Sequence, residues 1–371
     1  MSLRTRLREE ALRAVAVKQP TLPQRAARGV LAAVAIGYGA GVRLRNAGYG
    51  LGLLPVQRLS CRVVCVGNLT VGGTGKTPTV IALTRRLTVA GRKVTVLLRG
   101  YGRAGSGVEV VSDGRDLFLD WRRAGDEAVL LAKSLPGVPI VVGGDRVAAG
   151  RLAEERFGPD TLVLDDGFQH RRLHRDLDLV LLDATDPFGG GHLLPRGRLR
   201  EPVAALTRAQ AIILCRTDQA SGLTVLRCHL EQVIPDIPKV LTRHRPSGLT
   251  DLAGGEERPL ESLQGRRVLA LSGIANPLAF HRTLADLGAV LSDRLAFPDH
   301  HPYTPADLAR VDALFLETGA EIIVTTEKDA VRIPSGVSSL PICVLRVDLE
   351  ITEGAASLER LLMQWVGGAR G

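Results

Sequence analysis

The chain has 371 residues, 45% of them apolar, enough for two domains with separate cores and too apolar for an intrinsically disordered protein. A net charge of +9 and a pI near 9.7 point to an anionic partner. Only 4% of residues are aromatic and no helix-turn-helix or zinc-finger spacing occurs, which argues against nucleic acid.

Six of the 48 basic residues are lysine, so arginine clusters carry little weight while Lys76 and Lys328 stand out by scarcity. The five cysteines are scattered and odd in number, as expected of free thiols in a reducing compartment. Cys61 and Cys65 read as buried residues of a strand and not as a metal site.

Residues 1–60 differ from the rest. Arg4, Arg6, Arg8 and Arg13 share a short polar helical pattern, which Pro20 and Pro23 interrupt. From Gly29 to Val42 no residue is charged, a stretch shorter than the ~20 residues of a membrane span. No signal-peptide layout is present. Two readings stay open: a buried packing helix, or an interfacial helix whose Arg25, Arg28, Arg43 and Arg45 meet anionic headgroups.

An apolar run from Arg62 to Val66 leads into Gly67-Asn68-Leu69-Thr70-Val71-Gly72-Gly73-Thr74-Gly75-Lys76-Thr77, followed by helical spacing over Thr77–Ala90. Strand, glycine turn and helix start in that order make a phosphate-binding loop. Amide N–H groups and the helix N-terminus converge on anionic oxygens, Lys76 reaches the terminal phosphates, and Thr77 can ligate Mg²⁺. Thr70 stands where the usual pattern has its first glycine.

Further strands are predicted at Lys93–Leu98, Ile140–Val142, Thr161–Asp165, Leu179–Asp183 and Ala211–Cys215, with helices at Asp126–Ser134 and Arg146–Phe157. Short uncharged β-rich runs alternating with helices indicate a mainly parallel sheet covered on both faces. Pro235, Pro238 and a loop-like Arg243–Gly255 mark a boundary. Beyond it, strands at Val268–Leu271, Ile322–Thr325 and Ile342–Val347 and helices at Pro277–Leu287 and Pro305–Glu317 suggest a second, smaller α/β domain. The expected division is an N-terminal helical segment at 1–58, a P-loop NTPase-like domain at 59–238 and the smaller domain at 239–371.

Several patches have the composition of chemistry. Asp165 and Asp166 end an apolar strand, the sequence form of the carboxylate that reaches the Mg²⁺ shell in P-loop folds. Asp126 and Glu127 follow Gly125 at a helix start, either as an ordinary N-cap or as reactive groups. Asp299, His300 and His301 lie between Pro298 and Pro302, a rigid turn whose spacing is poor for zinc. Thr325-Thr326-Glu327-Lys328-Asp329 follows a strand and reads as a base- or ribose-side loop for ATP or as a simple turn.

In combination the phosphate loop with Pro78, Arg99-Gly100-Tyr101-Gly102, Ala124-Gly125-Asp126-Glu127, Asp165-Asp166-Gly167-Phe168-Gln169-His170, Leu194-Pro195-x-Gly197-x-Leu199-Arg200-Glu201 and Thr326-Glu327-Lys328-Asp329 resemble the tetraacyldisaccharide 4′-kinase family, the lipid A 4′-kinases of Gram-negative bacteria. Thr70 in the first-glycine position also occurs there. The resemblance implies transfer of the ATP γ-phosphate to the 4′-hydroxyl of a disaccharide lipid, with Mg²⁺, at the cytoplasmic face of the inner membrane, and no obligate protein partner.

Position by position, the resemblance implies nucleotide contacts from Thr70, Val71, Gly72, Gly73, Thr74, Gly75, Lys76 and Thr77. It implies Mg²⁺-side ligands at Thr77, Asp165, Asp166, Gln169 and Glu201, and acceptor-sugar contacts from Arg99 and Tyr101. Asp126 matches the general base and His300 its partner, with Lys76 as the third catalytic group. The N-terminal match favours the membrane-surface helix. The rival reading is a P-loop ATPase of the partitioning or metal-insertion type, although Val71 stands where those proteins usually carry a lysine.

Overall fold

The computed structural model describes residues 22–334 and 340–367. The Arg4, Arg6, Arg8 and Arg13 pattern lies outside the described residues, as does the side chain of Arg25.

The described chain divides into two compact units, neither of them continuous in sequence. Among the described residues the first draws on 22–76, 163–243 and 351–367, the second on 77–162, 244–334 and 340–350. The expected cuts at 58 and 238 followed chain order. Compactness instead takes the chain out of the first unit just after the phosphate loop and returns it at Val163.

In the first unit the strands Arg62–Asn68, Leu177–Asp183, Ala211–Cys215 and the start of Lys239–Asp251 lie side by side and parallel, with Val64 opposite Leu177, Leu179 opposite Ala211 and Ile212 opposite Lys239. Their interiors are buried throughout, so both faces of the sheet are covered. Cys61 and Cys65 are buried and form no disulfide, Cys65 within the first of these strands.

The helix Leu22–Gly50 is continuous, and Pro23 sits in its first turn, where a missing N–H breaks no helical hydrogen bond. Ala35 and Val42 are buried, and Gly39 approaches Leu193 so closely that a Cβ would lie 2.7 Å from that side chain. Val30, Val34, Ile36 and Leu44 remain exposed. This helix therefore has a packing face and an exposed apolar face at once. No described helix is long and apolar enough to cross a membrane.

In the second unit, Ile140–Gly143 pairs in parallel with Val94–Leu98 and antiparallel with Val108–Ser112. A second group places Arg267–Ser272 between Val290–Ala296 and Ile322–Thr326, and Ile322–Thr326 beside Ile342–Glu353, all parallel. Alternation with period two separates the faces. Val268 and Ala270 pack with Phe280 and Leu284 of the helix Pro277–Asp286. Leu269 and Leu271 pack with Leu308 and Val311 of the helix Pro305–Thr318.

The segment expected to be loop-like at 243–255 is largely strand, running unbroken over Lys239–Asp251 and pairing with Glu257–Arg258. Its outer half alternates exposed and half-buried residues without an apolar signal. The largely exposed strand Val290–Ala296 was not anticipated, because Ser292, Asp293 and Arg294 break its apolar run. The helices Leu223–Val233 and Ala355–Gly367 were also not anticipated.

Candidate active site

Residues 69–75 join the strand Arg62–Asn68 to the helix that starts at Lys76. Gly72 and Gly75 have φ of 119° and 84°, values that side chains with a Cβ resist, so the loop needs glycine at these turns. The loop is braced from three directions. Asn68 donates from Nδ2 to Thr74 Oγ1 at 2.9 Å. Along one flank, Val71 N donates to Arg198 O at 2.9 Å and Arg200 N to Leu69 O at 2.7 Å. Arg216 donates to Gly73 O at 2.8 Å and pairs with Asp183. Thr70 is buried and bridges to Leu199, which gives the unusual first position a structural part.

The strand Thr161–Asp165 ends in the acidic pair. Asp165 is buried, and Asp166 turns out of the strand with φ of 52° while its N–H donates to Val66 O. Gly67 permits this turn, because a Cβ there would lie 2.5 Å from Phe168 Cβ. Arg200 Nη1 reaches both oxygens of Asp166 at 2.8 and 2.9 Å, and Lys76 Nζ lies 3.7 Å away. Gln169 donates to Asn68 O at 2.9 Å and accepts from Arg200 at 3.3 Å.

Among the described residues no three His, Cys, Asp or Glu side chains gather into a metal-holding group. The first unit instead offers hard oxygens, two of them carboxylates, beside a loop for phosphates. That suits Mg²⁺, which keeps waters and takes one or two carboxylates together with substrate phosphate oxygens. Asp183 is held below the usual carboxylate range: burial alone would raise it, but its hydrogen bond and charge pairing with Arg216 outweigh burial.

Glu201 departs from the expected metal-side role. Its side chain is fully buried, with Arg45 at 3.0 Å, Asn46 at 2.9 Å and Arg208 at 2.8 Å on its two oxygens. These contacts tie it to the second half of the helix Leu22–Gly50, where Tyr38 also donates to Arg200 O and Arg171 to Asn46 O. A buried carboxylate already balanced by two guanidinium groups has little left to offer a cation.

The second unit holds the other candidate residues. Asp126 opens the helix Asp126–Ser134 and is 4% exposed. His300 Nδ1 lies 2.9 and 3.1 Å from its two carboxylate oxygens, and Arg332 Nε lies 3.4 Å away. Burial alone would raise the Asp126 carboxyl. The hydrogen bond from His300, with the positive charges of Lys328 and Arg332, holds it below its usual range. Tyr101 sets its ring 5.9 Å from that of His300. Arg99 and Tyr101 line a cavity of about 430 Å³ with Arg103, Val108 and Asp145.

The family model for tetraacyldisaccharide-1-P 4′-kinases matches residues 27–366. The chain belongs to this family. It is 48% identical over 328 residues to the tetraacyldisaccharide 4′-kinase of Anaeromyxobacter dehalogenans, covering 87% of this chain and 86% of that one. It is 45% identical over 339 residues to the enzyme of that name from Syntrophus aciditrophicus, covering 88% and 90%. Among solved structures it is similar to LpxK from Aquifex aeolicus in complex with ATP, with a TM-score of 0.73, 32% identity, and coverage of 91% of this chain and 99% of that one.

Family membership makes this chain an ATP-dependent kinase and sets aside the partitioning or metal-insertion ATPase. Of the residues expected at the 4′-kinase site, the structure gathers Lys76, Asp166 and Gln169 in the first unit and Asp126, His300 and Tyr101 in the second. Thr77 lies in the first turn of the helix after the loop. Sequence reasoning missed Arg200, Arg216 and Arg332 as braces of these groups. In a chain so rich in arginine their residue type carried no signal.

Lys328 and Asp329, expected at a nucleotide-side loop or a simple turn, instead surround the Asp126–His300 pair. Lys328 Nζ is 3.3 Å from His300 Nε2 and 3.2 Å from Glu127 Oε1. Asp329 accepts from Gly273 N, Tyr303 and Arg332. The scarcity of lysine was the signal available for Lys328.

Proposed function

We propose that this kinase transfers the γ-phosphate of ATP to the 4′-hydroxyl of a tetraacyldisaccharide 1-phosphate, with Asp126 taking the proton that the hydroxyl releases. The observation that carries the assignment is a buried carboxylate held ionised against a histidine. Loop amides of residues 70–77 and Lys76 hold the triphosphate, with Thr77, Asp165, Asp166 and Gln169 as the oxygen donors for Mg²⁺. When bound, Mg²⁺ neutralises charge on the phosphates.

The acceptor oxygen forms a bond to the γ-phosphorus as the bond to the β–γ bridging oxygen breaks, and ADP leaves with that electron pair. The hydroxyl proton passes to an Asp126 oxygen. Kept this acidic, Asp126 is a weak base in the ground state; it accepts the proton once the hydroxyl oxygen has begun to bond to phosphorus. His300 orients the carboxylate through Nδ1. Arg99 and Tyr101, on the wall of the cavity, contact the acceptor sugar.

The N-terminal helix is proposed to lie on the cytoplasmic face of the inner membrane. Support comes from exposed Val30, Val34, Ile36 and Leu44, continued by Leu51 and Leu53, on a strongly basic chain.

The test is transfer of label from γ-labelled ATP to the disaccharide lipid in mixed micelles. Mg²⁺-dependent labelling of the lipid is expected. Release of inorganic phosphate with no labelled lipid would end this reading.

A further inference from the structure

We infer that Lys328 is a positioning residue that fixes His300 as the neutral Nδ1–H tautomer, so that the ring's single proton points at Asp126; this deepens the proposed role of that pair and rests on it.

The argument is one of donors and acceptors. An ammonium group has three N–H donors and no lone pair to offer. Lys328 Nζ stands 3.3 Å from His300 Nε2, so Nε2 has to present its lone pair. A neutral imidazole carries one proton, and it then resides on Nδ1, 2.9 Å from Asp126 Oδ2. Lys328 is cationic here: burial alone would lower its pKa, but the carboxylates of Glu127, Asp299 and Asp126 raise it above the usual lysine value.

Every charged group facing the ring agrees with this arrangement or is farther away. Asp126 meets Nδ1 and is itself approached by Arg332. Glu127 binds Lys328 at 3.2 Å. Asp299 lies 3.6 Å from both Nε2 and Nζ, beyond hydrogen-bond reach of either. Tyr101 presents a ring and not a charge.

The lysine is also held in place by backbone. It sits on the short helix Glu327–Ala330, capped by Thr326, whose Asp329 accepts from Gly273 N at 2.9 Å. Gly273 O in turn accepts from His300 N at 3.2 Å, where His300 has a φ of 60°. Lysine and histidine are thus referenced to the same glycine.

The test uses the full chain labelled with ¹⁵N-histidine and long-range ¹H–¹⁵N correlation, with His300→Gln identifying the signal among the eight histidines. In the parent, Nδ1 should be protonated and Nε2 unprotonated; a protonated Nε2 overturns the proposal whatever the variants do. Lys328→Met should move Nε2 toward a protonated position, and Lys328→Arg should keep the parent pattern. An unchanged pattern in Lys328→Met also overturns it. Turnover by Lys328→Met should fall about 10-fold or more, with KM for ATP within about two-fold. The ring-nitrogen signals need no substrate, so they separate failure of this proposal from failure of Asp126 as base, which Asp126→Asn turnover decides.

Discussion

Arg200 holds both oxygens of Asp166 from a single nitrogen, and Lys76 lies 3.7 Å from the same carboxylate. The phosphate-loop lysine is therefore a second partner for Asp166, not its anchor. Lys76→Ala should leave the melting temperature nearly unchanged while lowering lipid phosphorylation at least ~10²-fold, the scale of losing one charge-stabilising donor. Near-parental turnover would remove Lys76 from the site.

Asp126→Asn keeps the shape of the side chain and removes its capacity to take a proton. We expect kcat to fall about 10²- to 10⁴-fold with little change in KM for ATP. The double variant with His300→Ala should be little worse than the worse single variant, because the two residues act as one unit. Multiplying losses would show that they act separately.

Glu201 is buried between Arg45 and Arg208. Glu201→Ala leaves two guanidinium groups without their partner and should destabilise the fold by about 3–5 kcal/mol in urea titrations. Arg45→Ala should cost less, because Arg45 is the more exposed of the two arginines. A Glu201→Ala variant as stable as the parent but unable to use Mg²⁺ would restore the metal-side role.

Truncation through residue 45 is the wrong way to test membrane binding, since it removes Tyr38 and Arg45 and with them contacts to Arg200 and Glu201. Substituting Ile36, Leu44, Leu51 and Leu53 by serine alters only exposed positions. This variant should keep its stability and lose most of its sedimentation with anionic vesicles. Undiminished sedimentation would place the contact elsewhere.

Asp183 provides a test by pH. Its carboxyl is depressed in the folded state, so its contribution is complete above the unfolded value of about 3.9 and is lost as pH falls through the lower folded value. Asp183→Asn should cost about 2 kcal/mol at neutral pH, the scale of a hydrogen bond to a charged group. The gap to the parent should close below about pH 4. A gap that stays constant on acidification would contradict the pairing with Arg216.

Local sequence was enough for the phosphate loop, the acidic pair, the central parallel strands and most helices. Glycine turns, apolar runs and 3.6-residue spacing are properties of neighbouring residues and need no knowledge of distant ones. Strands with polar faces, such as Val290–Ala296 and the outer half of Lys239–Asp251, carry no such local mark.

Only the tertiary structure decided which groups meet. His300 lies 174 residues from Asp126, and Glu201 lies 156 from Arg45. Whether a carboxylate ligates, accepts a proton or locks a helix depends on the charges brought beside it through space. Folding sets those distances, and residue identity alone leaves them open.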